Sequence, residues 1–189
     1  GEAGSYLGNS VRSGDFNADG KTDLVVGAMN YSSSTGRAYI FYNDGSYPAL
    51  ATAADVIMTG GATSNSFGGA LAVSDFNADG KTDLAVGATG YSSGTGRAYI
   101  FYNDGSYPTD ALGADVIMTG QTTSNYFGGA LTAGDFNADG KMDLAVGAYG
   151  YSSSAGRVYV FTTEAKTAEA LPQFQSIGAT NIVGNFEVR

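Results

Sequence analysis

Apolar positions along this chain fall in short runs separated by glycine, serine, asparagine and aspartate, and the whole pattern returns every sixty residues. In the middle copy, Phe67 to Val73, Asp83 to Ala88, Arg97 to Tyr102 and Asp115 to Thr119 read as four β-strands. Turn-rich segments such as Tyr91-Ser92-Ser93-Gly94-Thr95-Gly96 and Asn103-Asp104-Gly105 separate them, so each unit is predicted to be a four-stranded antiparallel meander. Leu84-Ala85-Val86-Gly87-Ala88 is apolar without alternation, which predicts a strand covered on both faces, with Gly87 and Ala88 letting a neighbouring sheet approach closely. Arg97 to Tyr102 alternates more and predicts an amphipathic strand. The units span about 6–60, 66–120 and 126–178, and the 189 residues read as one segment built from them. A lone sheet with two apolar faces cannot shield them, so the units are expected to stack around an axis as an all-β propeller, three blades per chain.

One polar stretch repeats more faithfully than any other. Asp-Phe-Asn-Ala-Asp-Gly-Lys-x-Asp-Leu begins at Asp15, Asp75 and Asp135, with oxygen side chains at positions 1, 3, 5 and 9. In a tight loop this spacing turns Asp15, Asn17, Asp19 and Asp23 towards one centre, Gly20 permits the reversal, and the Lys21 carbonyl falls at position 7. The same reading selects Asp75, Asn77, Asp79, Lys81 and Asp83 in the second copy, and Asp135, Asn137, Asp139, Lys141 and Asp143 in the third. Oxygen-only ligands with three carboxylates suit a hard cation, here Ca2+, three per chain. An EF-hand is excluded: its closing glutamate position is Val26, Val86 or Val146, inside a strand-like run. The ninth-position aspartates are therefore expected to complete the coordination, in a loop between two strands. The alternative is a metal-free β-turn rich in Asx residues.

Composition sharpens this picture. The net charge of −9 looks like an acidic surface, but nine of the 18 acidic residues are the loop aspartates. Nine Lys and Arg without a cluster give little to bind a phosphate backbone, so no nucleic-acid partner is expected. No cysteine and no histidine means no disulfide, no thiolate, no imidazole base and no His-bound zinc. Low-affinity calcium loops point to an extracellular or cell-surface setting. No apolar run is long enough for membrane insertion, and the start at Gly1 suggests a processed product or excised fragment.

Three elements recur in order: Phe-Gly-Gly-Ala at 67–70 and 127–130, the Asp-x-Asn-x-Asp-Gly-x-x-Asp loop, and Gly-Arg-x-Tyr-x-Phe at 36–41, 96–101 and 156–161. Together they resemble the FG-GAP repeat family, calcium-loop β-propellers of integrin α-subunit heads and bacterial surface proteins, over residues 6 to about 161. The resemblance implies that the metal loop joins the first and second strands of each blade. Leu7 replaces the Phe in the first unit, and the third loses the Asn-Asp-Gly-Ser-Tyr-Pro turn after Phe161. Closed propellers take about four to eight blades, so three require completion, by a homodimer making six, by a longer parent chain, or by strand exchange into a polymer. Val183-Gly184-Asn185-Phe186-Glu187-Val188-Arg189 resembles Leu7-Gly8-Asn9-Ser10-Val11-Arg12, so residues 179–189 read as the first strand of a further unit, able to close a blade or pair with another subunit.

The resemblance implies a calcium-stabilised extracellular binding or adhesion module, not an enzyme, with a protein or glycan ligand. Two rivals stand beside it: a self-assembling surface or fibre subunit, and an accessory domain of a calcium-dependent polysaccharide lyase or phospholipase using Tyr and Arg. The Tyr31, Tyr91 and Tyr151 hydroxyl-rich turns fit either sugar recognition or solvated hairpins. Arg37, Arg97 and Arg157 are expected to pair with a local aspartate rather than an anionic ligand. Asp44 and Asp104 read as hairpin-turn residues rather than further ligands. The 23 Tyr and Phe residues are expected to pack blade against blade.

Overall fold

A computed structural model describes residues 3–163 and, beyond them, the short strands at 174–176 and 186–188. Among the described residues there are thirteen strands: β1 (Leu7–Gly14), β2 (Asp23–Ala28), β3 (Arg37–Phe41), β4 (Val56–Thr59), β5 (Phe67–Ser74), β6 (Asp83–Ala88), β7 (Arg97–Phe101), β8 (Val116–Thr119), β9 (Phe127–Gly134), β10 (Asp143–Ala148), β11 (Arg157–Thr163), β12 (Phe174–Ser176) and β13 (Phe186–Val188). They form three antiparallel meanders, β1-β2-β3-β4, β5-β6-β7-β8 and β9-β10-β11-β12. Registers repeat between units: Val26 faces Tyr39, Val86 faces Tyr99 and Val146 faces Tyr159. A bulge interrupts the pairing of β5 with β6 between Phe67 and Leu71, where Gly68 takes φ +85°, a conformation glycine adopts without steric cost.

The expected surplus strand pairs within its own chain. β13 lies antiparallel to β8, Glu187 opposite Ile117, and adds a fifth strand to the second sheet instead of opening a fourth. The outer edge of β8 otherwise presents unpaired backbone groups, which a further strand satisfies. The rest of 179–189, and the end of the third unit near 178, lie outside the described residues.

Successive sheets stack face to face, with their first strands side by side, which gives a propeller-like fold. Between the first and second sheets Val25, Ile40 and Met58 pack on Phe67, Leu71 and Tyr99. Between the second and third Ala85, Ile100 and Met118 pack on Phe127, Leu131 and Tyr159. Phe67 meets Tyr99 and Phe101 edge-on, and Phe127 meets Tyr159 and Phe161 likewise. Backbone contact is as close as expected at Gly87: a Cβ there would lie 2.1 Å from the Gly128 carbonyl, and one at Gly27 2.1 Å from that of Gly68. β7 departs from its expected amphipathic character, because Ala98 to Phe101 are buried on both faces by the flanking sheets. The aromatics are not all interface residues: Tyr6, Tyr47, Phe136 and Tyr149 are exposed.

Tyr31, Tyr91 and Tyr151 each open one turn of left-handed backbone. Ser32 and Ser33 have φ of 46° and 55°, and their counterparts are alike. These turns grip the next unit, since the Ser33, Ser34 and Thr35 carbonyls accept the amides of Ser64, Ser66 and Phe67. The second turn accepts those of Ser124, Tyr126 and Phe127 in the same way.

Candidate metal centre

Each acidic loop joins the first and second strands of its sheet, between β1 and β2, β5 and β6, and β9 and β10. The strand pair brings the loop ends together, Gly14 opposite Asp23 and Ser74 opposite Asp83, so a short segment must reverse direction between them. Gly20 and Gly80 supply the positive φ at the reversal, +83° and +86°. Ala18, Ala78 and Ala138 also adopt positive φ, a local strain repeated in all three loops.

The loop carboxylates are organised by loop amides. Asp15 accepts from the Asp19 and Gly20 amides through its two oxygens (3.1 and 2.8 Å), Asn17 Oδ1 also accepts from Asp19 (3.1 Å), and Asp19 Oδ1 accepts from Lys21 (2.9 Å). Asp75, Asn77 and Asp79 repeat these bonds, as do Asp135, Asn137 and Asp139. The Lys21 amide holds Asp19 below the usual carboxylate range, and the Lys141 amide does the same for Asp139. Lys21 Nζ also pairs with Asp19 Oδ2 at 3.2 Å.

The ninth-position aspartates sit apart. Asp23, Asp83 and Asp143 begin the second strands and are completely buried. Asp83 Oδ2 accepts from the Phe76 amide (2.7 Å) and Oδ1 from the Asn103 amide (2.8 Å), and Asp23 makes the matching bonds to Phe16 and Asn43. Asp143 accepts from the Phe136 amide at 2.9 Å. Burial pushes Asp83 up to about 6, with Asp79 and Asp75 adding to the rise and the two amides opposing it. Among the described residues no three acidic side chains converge on one point.

The donor set nevertheless fits a hard divalent cation. Side-chain oxygens from four positions line one loop, and each carboxylate oxygen engaged by one amide retains a second lone pair. Burial and two neighbouring carboxylates both disfavour the ionised form of Asp83, the electrostatic situation that a bound cation would relieve. Asp15, Asn17, Asp19, Asp23 and the Lys21 carbonyl are the groups that would hold it in the first loop, with their counterparts in the other two.

A clasp not expected from the sequence braces these loops. Tyr107 in the Asn-Asp-Gly-Ser-Tyr-Pro segment donates its hydroxyl to the Thr82 carbonyl (2.9 Å), and Tyr47 does so to Thr22 (2.7 Å). Asn103 Nδ2 also crosses to the neighbouring unit and donates to the Phe16 carbonyl (3.0 Å) inside the first loop. The recurrence of Tyr twenty-five residues after Thr, in the two units that keep this segment, was the available signal. Asp44 and Asp104 cap their own turns, accepting from Ser46 and Ser106, as a turn role requires.

Arg37, Arg97 and Arg157 do not pair with an aspartate. Their guanidinium groups stack on Tyr31, Tyr91 and Tyr151 at 3.7, 3.6 and 3.7 Å from the ring centroids, and Arg37 and Arg97 donate to Thr59 and Thr119. A planar cation gains more from that aromatic face and a nearby hydroxyl than from a distant solvated carboxylate. The stack occupies one face of each tyrosine that sugar recognition would use.

Comparison with known proteins agrees with this architecture. The family model described as FG-GAP repeat matches residues 7–41, 67–101 and 127–161, more than half the chain. A phosphatidylinositol-glycan-specific phospholipase D from Rattus norvegicus is 39% identical over 153 residues, covering 74% of this chain and 18% of that protein. Integrin alpha-IIb from Mus musculus is 38% identical over 164 residues, 80% of this chain and 16% of the integrin. Integrin alpha-M from the same species is 35% identical over 157 residues, 79% and 14%. The chain thus spans less than a fifth of the length of these relatives. With three matched repeats, each containing one acidic loop between its first two strands, the chain belongs to the FG-GAP repeat family.

Proposed function

We propose that this chain is an extracellular, calcium-stabilised propeller module that binds a protein or glycan partner and carries out no catalysis. One observation carries the calcium assignment: a completely buried aspartate closes every acidic loop, held by backbone amides and accompanied by further loop carboxylates. Bound calcium supplies compensating positive charge. The chain's own residues do the rest: Asp15, Asp75 and Asp135 hold the loop reversal, Asp23, Asp83 and Asp143 tie loop to strand, and Tyr47 and Tyr107 brace two loops from outside. Because the free loop carries uncompensated carboxylates, binding contributes directly to folding free energy.

A binding role is supported by kinship with integrin α-subunits and by the recurrence of one loop pattern in all three units. The phospholipase D relatives match over about a fifth of their length, so their named activity is not transferred to this chain. Calorimetric titration tests the metal: saturable uptake of about three calcium ions per chain, with a thermal midpoint that falls in chelator, is expected. Heat-silent titration and a midpoint indifferent to chelator would sink the assignment. Glycan and extracellular-protein arrays probed in calcium test the partner.

A further inference from the structure

The segment that follows β7 touches both of the first two acidic loops. Asn103 is held through its main chain by two residues of the second loop: its amide donates to Asp83 Oδ1 (2.8 Å) and its carbonyl accepts from Lys81 Nζ (3.1 Å). Its side chain reaches the other way, Nδ2 donating to the Phe16 carbonyl (3.0 Å) in the first loop. That carbonyl belongs to the peptide joining Phe16 to Asn17, and the Phe16 amide donates to Asp23 Oδ2 (2.8 Å). Two buried residues, Phe16 and Asn103, thus connect the ninth-position aspartates of both loops by a continuous path of hydrogen bonds and covalent bonds.

Two further contacts run beside this path. Tyr107 sets its ring edge-on to Phe16, with centroids 6.2 Å apart, while its hydroxyl holds the Thr82 carbonyl next to Asp83. The Thr82 side chain in turn lies against Gly14, where a Cβ would come within 2.6 Å of Thr82 Cγ2. Gly14 is the strand partner of Asp23, so the base of the first loop rests on the residue that leads into Asp83. The sequence does not repeat these residues between the second and third loops. Thr163 and Thr167 stand where Asn103 and Tyr107 would recur, and Ser74 and Met142 replace Gly14 and Thr82. Apolar packing does not separate the two junctions, because Phe16 and Phe76 occupy equivalent places in the two inter-sheet cores.

Resting on the calcium reading above, we infer that the first and second loops take up calcium as a coupled pair, with Asn103 as the coupling residue, and that the third loop binds outside that pair. Order imposed on the peptide between Phe16 and Asn17 is passed to the Asn103 carboxamide and, through the Asn103 main chain, to Asp83. A loop ordered in advance loses less conformational entropy on binding, so the coupling is positive. Linkage makes it reciprocal, equal in size whichever loop fills first.

Calorimetric titration of chains with chosen loops disabled tests this. Asp19→Ala, Asp79→Ala and Asp139→Ala each remove one exposed ligand, and their combinations leave one or two working loops. With the first and second loops working together, the product of the two association constants is expected to exceed the product from the single-loop chains by about fivefold or more. With the second and third together, the products are expected to agree within about twofold. Asn103→Ser keeps a side-chain oxygen for the Gly105 amide and the main-chain bond to Asp83 but removes the carboxamide that reaches Phe16, so it should bring the first pair within the same range. An equal excess in both pairs, or an excess that survives Asn103→Ser, overturns the inference. If Asn103→Ser fails to fold, the comparison of the two pairs decides alone. Independent uptake at all three loops removes this inference and leaves the calcium reading standing, whereas chains that take up no calcium at any loop remove both.

Discussion

The acidic loops contain two kinds of aspartate, and single substitutions separate them. Asp83 is completely buried and satisfies the Phe76 and Asn103 amides, so Asp83→Ala strands two buried donors and is expected to cost about 2–4 kcal/mol in chelator as well as in calcium. Asp79 is exposed, and Asp79→Ala is expected to cost less than about 0.5 kcal/mol in chelator yet to remove the calcium-dependent stability of that loop. Urea unfolding of both variants, with and without calcium, checks this; equal calcium dependence in the Asp79→Ala protein and the parent would contradict it. A second residue-scale test concerns the left-handed turns. Ser34 and Ser154 carry side chains at φ 59° and 70°, whereas the second turn has Gly94, where a Cβ would lie 2.8 Å from the Tyr126 ring. Tyr126 corresponds to Ser66, so a small turn residue in one unit answers a large ring in the next. Gly94→Ser is expected to destabilise by about 1–3 kcal/mol, and adding Tyr126→Ser should recover about 1 kcal/mol or more in a double-mutant cycle. Additive effects would show that the two positions do not communicate.

Strand positions were legible because period and punctuation agree: β6 was placed residue for residue, and β5, β7 and β8 within one residue. Burial was less legible. Arg97 to Tyr102 alternates like a half-exposed strand, but the sheets on either side cover both of its faces, a tertiary fact that no local pattern records. The arginine partners were missed for a related reason. Arg37 lies six residues from Tyr31 in sequence, and only the left-handed turn between them folds the ring beneath the guanidinium. The tyrosine clasp over the first two loops gives the prediction at this scale. Tyr107 is nearly buried and Tyr47 is 44% exposed, though each makes the same bond to a loop carbonyl. Tyr107→Phe is expected to cost about 1 kcal/mol and Tyr47→Phe less, since water replaces the exposed hydroxyl's bond more readily. Chemical unfolding in calcium measures the difference, and a larger loss at Tyr47 would reverse the argument.

Across the whole molecule, stability should follow position in the stack. The second unit shares an interface with a neighbour on each side, and β6 is buried along its entire length, whereas β2 is only partly so. Native-state hydrogen exchange is expected to be slowest in residues 83–88 and 97–101 and faster in the matching strands of the outer units. Uniform protection would mean that the units open together rather than from the ends. The loop ligands were legible as a repeated spacing. The buried placement of the ninth aspartate was not, because it depends on the amides of Phe76 and Asn103, the second of which arrives from a different hairpin. The open face of the third unit also carries an optical label. Tyr126 and Tyr149 lie parallel, 4.9 Å apart and 7° from coplanar orientation, and Tyr149 is 58% exposed. With no tryptophan among its residues, the protein's ultraviolet absorption and emission come chiefly from its 13 tyrosines, and this stacked pair should give an exciton-coupled circular dichroism band. A change of surroundings at Tyr149 perturbs one member of the pair, so the protein carries its own optical reporter of that face.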